Sequence, residues 1–516
     1  MRQASGLDAQ VLVVGAGIAG MATAARLQAR GLSTLVLEAH GQIGGCAGFF
    51  RRRGFSFDVG ATTLVDFADG GVGGRFLAEI GLTDLAGEAL PGYRAWLPDR
   101  TVALHRDAGL WRRERLAAFG DSPAHRCFWR LLDRLAAAFW QASRAGLELP
   151  LRSPGALLAA ARAMPLAAWP LARYLGRTVA WALADCGLAG DVALRAFLAM
   201  LLQDPVHAAP EDAPLINGAL GVTIRGAGLT RAAGGMRGFF GRLAGRYREL
   251  GGRLLLGTRV ERIAPLPGGG FAVETQRGTF RARQVVSTLP IWDAARLGPP
   301  AAAAALSPYL ARDGGALGGA SCLFLGVPEG EVAGQELTHH QVLLDYGLPL
   351  GDGNNMFVSV SAPGDLASAP AGCRAVVLST HTELAPWEGL AGEEYGRRKA
   401  ATAERLLAAA RRVYPELGRA ARVAEVATPR TYARFTSRHR GAVGGVRLNP
   451  ANANFHAVPH DLGVAGYWQA GDTTWPGLGT VACILGSLHV AEAALRHDAR
   501  AARGSRRPAA ARPAYA

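Results

Sequence analysis

Three glycines and an acid near the start of the chain have the spacing that most directly implies chemistry. Gly15, Gly17 and Gly20 follow the apolar run "VLVV" (11–14) and open an alanine-rich stretch that reads as a helix to about Arg30. A strand thus feeds a tight turn, and the turn feeds a helix start. Gly15 permits the turn, Gly17 lets a pyrophosphate approach the backbone, and Gly20 lets the helix lie close to the strand. The helix start, with Ile18 and Ala19 in its first turn, offers free N–H groups and partial positive charge to an anion. Glu38 ends a second strand, "STLVLE", about 20 residues further on, where a carboxylate can bind ribose hydroxyls. Together these residues predict a dinucleotide site.

A second glycine pair, Gly44–Gly45, follows the acid-bearing strand and points to FAD rather than NAD. The longer cofactor needs more backbone passing close to it than one turn provides. Val260 in "GTRVERI" either meets the adenine through its backbone or is a core strand residue. Near the other end of the chain, "GDTTWPGLGTVACILGS" (471–487) places Asp472 ahead of a glycine-rich turn and an apolar helix. With one end of FAD on the N-terminal glycines, Asp472 is expected to take a ribityl hydroxyl. The helix start is then expected to face flavin N1, where reduced flavin carries negative charge. Trp475 fits either stacking near the flavin or packing in the core.

The elements that must hold these residues form an interrupted pattern. Residues 9–92, 225–295 and 425–498 read as three pieces of one α/β nucleotide-binding domain. Residues 93–224 and 296–424 read as an inserted substrate domain, and 499–516 as a disordered basic tail. "YRAWLPDRTVAL" (93–104) predicts a hairpin around Pro98–Asp99. From about 111 to 204 the pattern is helical and carries Phe128, Trp129, Phe139, Trp140, Trp169, Trp181 and Phe197. "GGMRGFFGRLAGRYRELGG" sets Met236, Phe239, Phe240, Leu243, Tyr247 and Leu250 on one helical face. Strand-like runs follow at "ASCLFLGV", "NMFVSVS" and "AVVLSTH", with a charged helix at 391–413. No internal repeat is evident.

Composition narrows the function classes. A chain of 516 residues, 49% of them hydrophobic, is expected to form at least two domains with large cores. No apolar run reaches the roughly 18–20 residues of a membrane span. The N-terminal apolar run lacks a cleavage-site context, so a signal peptide is not expected. Six cysteines are scattered without a C-x-x-C pair, which argues against zinc or a disulfide framework and for a reduced, cytoplasmic compartment. The net charge of +15 comes almost wholly from arginine, Lys399 being the single lysine. That pattern suits a coding bias better than nucleic-acid binding, so no nucleic-acid partner is expected.

The chain from about 10 to 497 resembles the flavoprotein carotenoid desaturases and isomerases of phytoene desaturase type, within the amine-oxidase-like FAD fold. The motifs are "VVGAGIAGMATAARLQARGLSTLVLE", "IGGCAGFFRRRGFSFDVGATTL", "AAGGMRGFFGRLA", "TPRTYARFTSRHRGAVGG" and "AGDTTWPGLGTVACILGS". The stretch "HHQVLLDYGLPLGDGNNMFVSVSAPGD" is most similar to the C-3',4' carotenoid desaturase branch. The resemblance implies an FAD-binding doubly wound α/β domain with an inserted α+β substrate domain and a helical segment that contacts a membrane. It carries Gly15, Gly17, Gly20, Glu38, Gly45, Val260, Gly471 and Asp472 over as FAD-contacting positions. Ile18, Ala19, Cys46, Gly60, Ala61, Thr62, Gly479, Thr480 and Val481 complete the expected cofactor set. Many relatives have arginine after the Gly–Gly pair; here it is Cys46, expected to be a packing residue, and which arginine reaches the cofactor in its stead is open.

The implied reaction removes hydride from a polyene carbon to flavin N5, with a quinone or oxygen as final acceptor. The tryptophans and phenylalanines of 128–197 are candidate lining for an apolar tunnel. His381, Asp345, His339 and His340 are the polar candidates for a base, and a cationic polyene could also lose its proton without one. "TSRHRGAVGG" reads as an exposed loop, or else brings Arg438 or Arg440 toward the flavin. Carotenoid isomerisation and retinoid saturation are rivals within the fold, and a flavin-free prenyl-lipid carrier is a rival outside catalysis. Amine oxidation is disfavoured, because Lys399 lies on a charged helix. Lipid-soluble substrate and the arginine-studded apolar stretch 151–188 predict peripheral membrane contact, although an internal helical subdomain explains that stretch equally well. No metal is expected.

Overall fold

The computed structural model describes residues 7–504 except 84, 86, 152, 153 and 165. Two seven-stranded sheets organise these residues. The first is built on the strands Ala9–Val14 and Thr34–Leu37, which run parallel and are buried almost throughout. Gly278–Ser287 lies parallel on the other side of Ala9–Val14. Arg253–Leu255 and Tyr467–Gln469 extend the parallel part, and Val260–Pro265 and Phe271–Thr275 add an antiparallel edge. Strands from residues 9–37, 253–287 and 467–469 thus form one sheet. Continuous apolar runs such as "VLVV" suit parallel strands covered on both faces.

Helix Ile18–Ala29 covers one face of this sheet, and helix Thr480–Gly504 packs on it. Arg26 Nε donates to Ser487 Oγ at 3.1 Å across that contact. The two ends of the chain therefore meet beside the glycine turn. The closing helix reaches Gly504, beyond the expected boundary at 498, and 505–516 lie outside the described residues.

The second sheet runs in the order Val423–Ala427, Gly319–Pro328, Cys373–Thr382, Asn355–Val360, His339–Leu343, Gly92–Trp96, Thr101–His105. The last two form the hairpin expected at 93–104. Strand alternation gives its residues two destinations. Leu323, Leu325 and Val327 pack toward Leu406, Ala409 and Ala410 of the charged helix, Gly392–Ala410. Cys322 and Phe324 face the other way, toward Phe55 and Phe57. His381 pairs with Ala320, and Ser379 with Cys322. Helices Pro123–Arg144, Val192–Val206 and Leu215–Val222 close the remaining side. No helix among the described residues is long and apolar enough to cross a membrane.

Candidate functional site

A cavity of about 1130 Å³ starts at the C-terminal ends of the first sheet's parallel strands and extends beneath the second sheet. Open α/β sheets bind ligands outside those strand ends. Gly15, Gly17, Ile18, Ala19, Glu38, Gly45, Cys46, Gly60, Ala61, Thr62, Val260, Gly471, Asp472, Gly479, Thr480 and Val481 all line it. Gly20 does not. A Cβ there would come within 2.0 Å of the Gly15 carbonyl oxygen, so this glycine sets how closely helix and turn approach.

The glycine turn is tied to the acid by the chain itself. Glu38 Oε2 accepts the Ala16 N–H at 2.7 Å, and Oε1 accepts that of His40 at 2.8 Å. The second glycine pair is bound to the first, with Gly44 N–H donating to Ala16 C=O at 2.9 Å. At the other end, Arg438 Nη2 lies 2.9 Å from Asp472 Oδ2 and 3.2 Å from Oδ1. Arg438 Nε donates to Ala442 C=O at 2.8 Å, fixing the guanidinium plane. Burial opposes the Arg438 charge, but Asp472, Cys46 and Asp293 together outweigh it and raise its pKa.

"TSRHRGAVGG" is therefore no exposed loop at Arg438. This side chain is only 13% exposed and lines the cavity. Arg440 does lie outward, paired with Glu388. Arg438 also faces Cys46, so it supplies positive charge beside the position where relatives are expected to carry arginine. Burial raises the Cys46 thiol pKa, which keeps it protonated and suits a packing role. Trp475 is 4% exposed, absent from the lining and packed beside His489, so it is a core residue.

Several further candidates are redirected. Asp345 lies exposed in the loop after His339–Leu343, accepts the Gly347 N–H at 2.7 Å and does not reach the cavity. His339 and His340 are core residues with both ring nitrogens engaged. His339 bonds Thr338 and Ser359, and His340 bonds Trp96 and Tyr414. Alternation along "HHQVL" alone could not show that both faces of that strand are covered. Of the aromatic residues from 128 to 197, only Trp140 lines the cavity. Phe128, Trp129, Phe139 and Phe197 are helical core, and Trp169 is exposed.

His381 does line the cavity, and it meets a residue the sequence reading passed over. His207 sits at the end of helix Val192–Val206, with its ring edge-on to His381 at a centroid distance of 4.7 Å. Asp204, one turn earlier, also lines the cavity. The available signal was a polar pair, Asp204 and His207, interrupting the apolar run "FLAMLLQDPVHAAP". Burial pushes both imidazole pKa values down, so both rings are neutral near pH 7. Around them the wall is apolar, with Leu201, Leu220, Ile224, Leu229 and Phe357.

This wall changes character along its length: backbone and ion pair at one end, and at the other a mainly apolar surface into which Asp204, His207, Asn217 and His381 are set. The first part fits a dinucleotide with a flavin, since it offers glycine backbone, the Glu38 carboxylate and a helix start at Thr480 in succession. Among the described residues, no cluster of metal-ligating side chains is present.

Residues 18–495 match the family model described as flavin containing amine oxidoreductase. Prolycopene isomerase 1 of the Oncidium hybrid cultivar, a chloroplastic protein, is 26% identical over 91% of this chain and 81% of its own length. A lycopene-forming phytoene desaturase of Pseudescherichia vulneris is 44% identical, over 11% of this chain and 12% of its own. Among solved structures, a doubly substituted putrescine oxidase superposes with a TM-score of 0.61 at 14% identity, over 95% of this chain and 99% of that one. Fold is all that last similarity carries.

Proposed function

The chain belongs to the flavin containing amine oxidoreductase family, and from that premise we propose that it desaturates a carotenoid intermediate with FAD as oxidant. It is a flavoenzyme of the carotenoid desaturase and isomerase group, and its cofactor is FAD. The observation that carries the finer reading is the continuity of the cavity from the glycine cradle into an apolar chamber. A polyene has no charge or hydrogen bond to offer, so hydrocarbon walls are what can bind it.

In this reading the Gly15–Ala19 backbone receives the pyrophosphate, Glu38 the adenosine ribose, and Val260 borders the adenine. Asp472 takes a ribityl hydroxyl, and Arg438 holds that carboxylate in place. The helix start at Thr480 offers its N–H groups to charge developing on the isoalloxazine. Bound FAD supplies a two-electron acceptor for hydride from a saturated polyene carbon. The protein excludes water from the chamber and aligns the polyene against the cofactor. Lys399 lies on helix Gly392–Ala410, outside the cavity lining, which leaves amine oxidation without a lysine at the site. Reoxidation by quinone or oxygen, and delivery of substrate from a membrane surface, complete the proposal.

A second reading, cis–trans isomerisation, is favoured by one observation: the relatives matched over most of the chain are prolycopene isomerases, whereas the desaturase match is short. Expression in bacteria that make candidate carotenoids separates the two. Products with additional conjugated double bonds and lower mass support desaturation. A changed isomer ratio at unchanged mass overturns it in favour of isomerisation.

A further inference from the structure

Beyond the cofactor cradle, two imidazoles stand side by side in the apolar chamber. Polar side chains are costly in a hydrocarbon wall unless they are partnered. Here the Nδ1 of His207 is buried without a hydrogen-bond partner, and His381, half-buried, stands beside it in the cavity lining. Packing does not require two such groups, since the buried His339 and His340 show how this fold satisfies a histidine.

Their place relative to the cofactor end is fixed by a two-glycine turn. A Cβ on Gly444 would come within 2.4 Å of His207 Cε1, and one on Gly445 within 2.2 Å of the Asp472 carbonyl oxygen. Only the thickness of the Gly444–Gly445 backbone therefore separates the histidine pair from the Asp472 turn. His381 reaches the same spot from strand Cys373–Thr382, where alternation sets it on the chamber face with Ser379.

Building on the desaturation reading, we propose that His381 is the proton acceptor of the reaction and that His207 and Asp204 are its positioning residues. Hydride leaves one saturated carbon to the flavin oxidant, which a quinone or oxygen later restores. The C–H bond on the neighbouring carbon then breaks, its electron pair becomes the new π bond, and the proton forms an N–H bond on the His381 ring. Only a neutral imidazole can do this, and burial keeps His381 neutral. Of the charged groups facing the pair, Asp204 favours the imidazolium on His381, and Arg447, itself paired with Glu383, opposes charge on both rings. His207 is buried behind His381, which is the more open of the two to the chamber, so the proton belongs on His381 while His207 braces its ring edge-on.

The test uses holoenzyme with a carotenoid it converts. His381→Gln is expected to retain FAD and a KM within about threefold of wild type, and to lose on the order of 100-fold or more in kcat, the usual worth of a general base. Added imidazole is expected to restore part of the turnover of His381→Ala, which a merely structural role would not allow. His207→Gln is expected to shift the acidic limb of the pH–kcat profile rather than abolish turnover. Ring nitrogen shifts by NMR on wild-type holoenzyme give a readout independent of activity and of variant folding: His381 neutral at pH 7 is expected, and a protonated ring overturns the proposal. A wild type that converts its polyene while His381→Gln keeps kcat within threefold overturns the proposal alone. A wild type that adds no double bond to any polyene overturns the desaturation reading and the proposal with it.

Discussion

At the scale of single residues, the decisive contact is the ion pair between Arg438 and Asp472. Both side chains are less than one-fifth exposed, so removing one partner leaves a largely desolvated charge. Breaking such a pair costs about 3–5 kcal/mol, far more than a surface pair is worth. Arg438→Leu is therefore expected to lower thermal stability and to release FAD, read as flavin absorbance per protein after gel filtration. Asp472→Asn, which keeps a hydrogen-bonding side chain, is expected to fold and still bind FAD more weakly; full flavin occupancy there would contradict the placing of Asp472 at the cofactor. The glycines and carboxylates of this site were legible in the sequence because their spacing follows from local backbone geometry. Arg438 was legible only as one of two alternatives, because nothing local distinguishes a buried arginine in "TSRHRG" from a solvated one, and His207 was marked by no more than a polar pair in an apolar run. Each gains its role from a partner far along the chain, Arg438 from Asp472 and His207 from His381.

At the scale of elements, the strands were read well and the helical insert less so. Continuous apolar runs at 11–14 and 319–328 fit strands covered on both faces, and that is where they lie. Aromatic content across 128–197 could not say which side of a helix meets the cavity, and most of those rings fill the core instead. Within 151–188, however, Leu157, Leu158, Leu166 and Trp169 are all about half exposed or more, a concentration unmatched among the other described residues. Helix Pro154–Ala163 also packs on helix Pro123–Arg144, whose Trp140 lines the chamber. In the proposed function, this exposed apolar segment with its arginines is the part that docks on an anionic bilayer surface. The double change Leu166→Glu and Trp169→Glu is expected to lower co-sedimentation with anionic vesicles several-fold while leaving bound FAD unchanged. Unaltered vesicle binding would assign this segment to some other surface role.

At the scale of the whole molecule, six imidazoles among the described residues are pushed below their ordinary pKa by burial, spread over the helical insert, the second sheet, and the closing helix with the loop before it. Burial lowers the pKa of His207, His339 and His381, and it brings His340 and His460 to about 4 and His489 to about 3. A histidine with a lowered folded pKa binds a proton more readily when unfolded. Its contribution to stability is present above its unfolded pKa and is lost as pH falls toward the folded value. Each such ring adds a slope of about 1.4 kcal/mol per pH unit within its window. Thermal midpoints are therefore expected to fall steeply between about pH 6.5 and 4, and a flat profile there would contradict neutral burial of these rings.

The same molecule-wide arrangement, a cofactor cradle opening into a hydrocarbon chamber, is what the functional account rests on. Its most direct test is anaerobic mixing of purified holoprotein with a saturated-end carotenoid precursor, following flavin absorbance and product mass together. The account predicts loss of the oxidised-flavin spectrum in step with a product two hydrogen atoms lighter. Isomerised product of unchanged mass, with the flavin spectrum intact at the end, would contradict it.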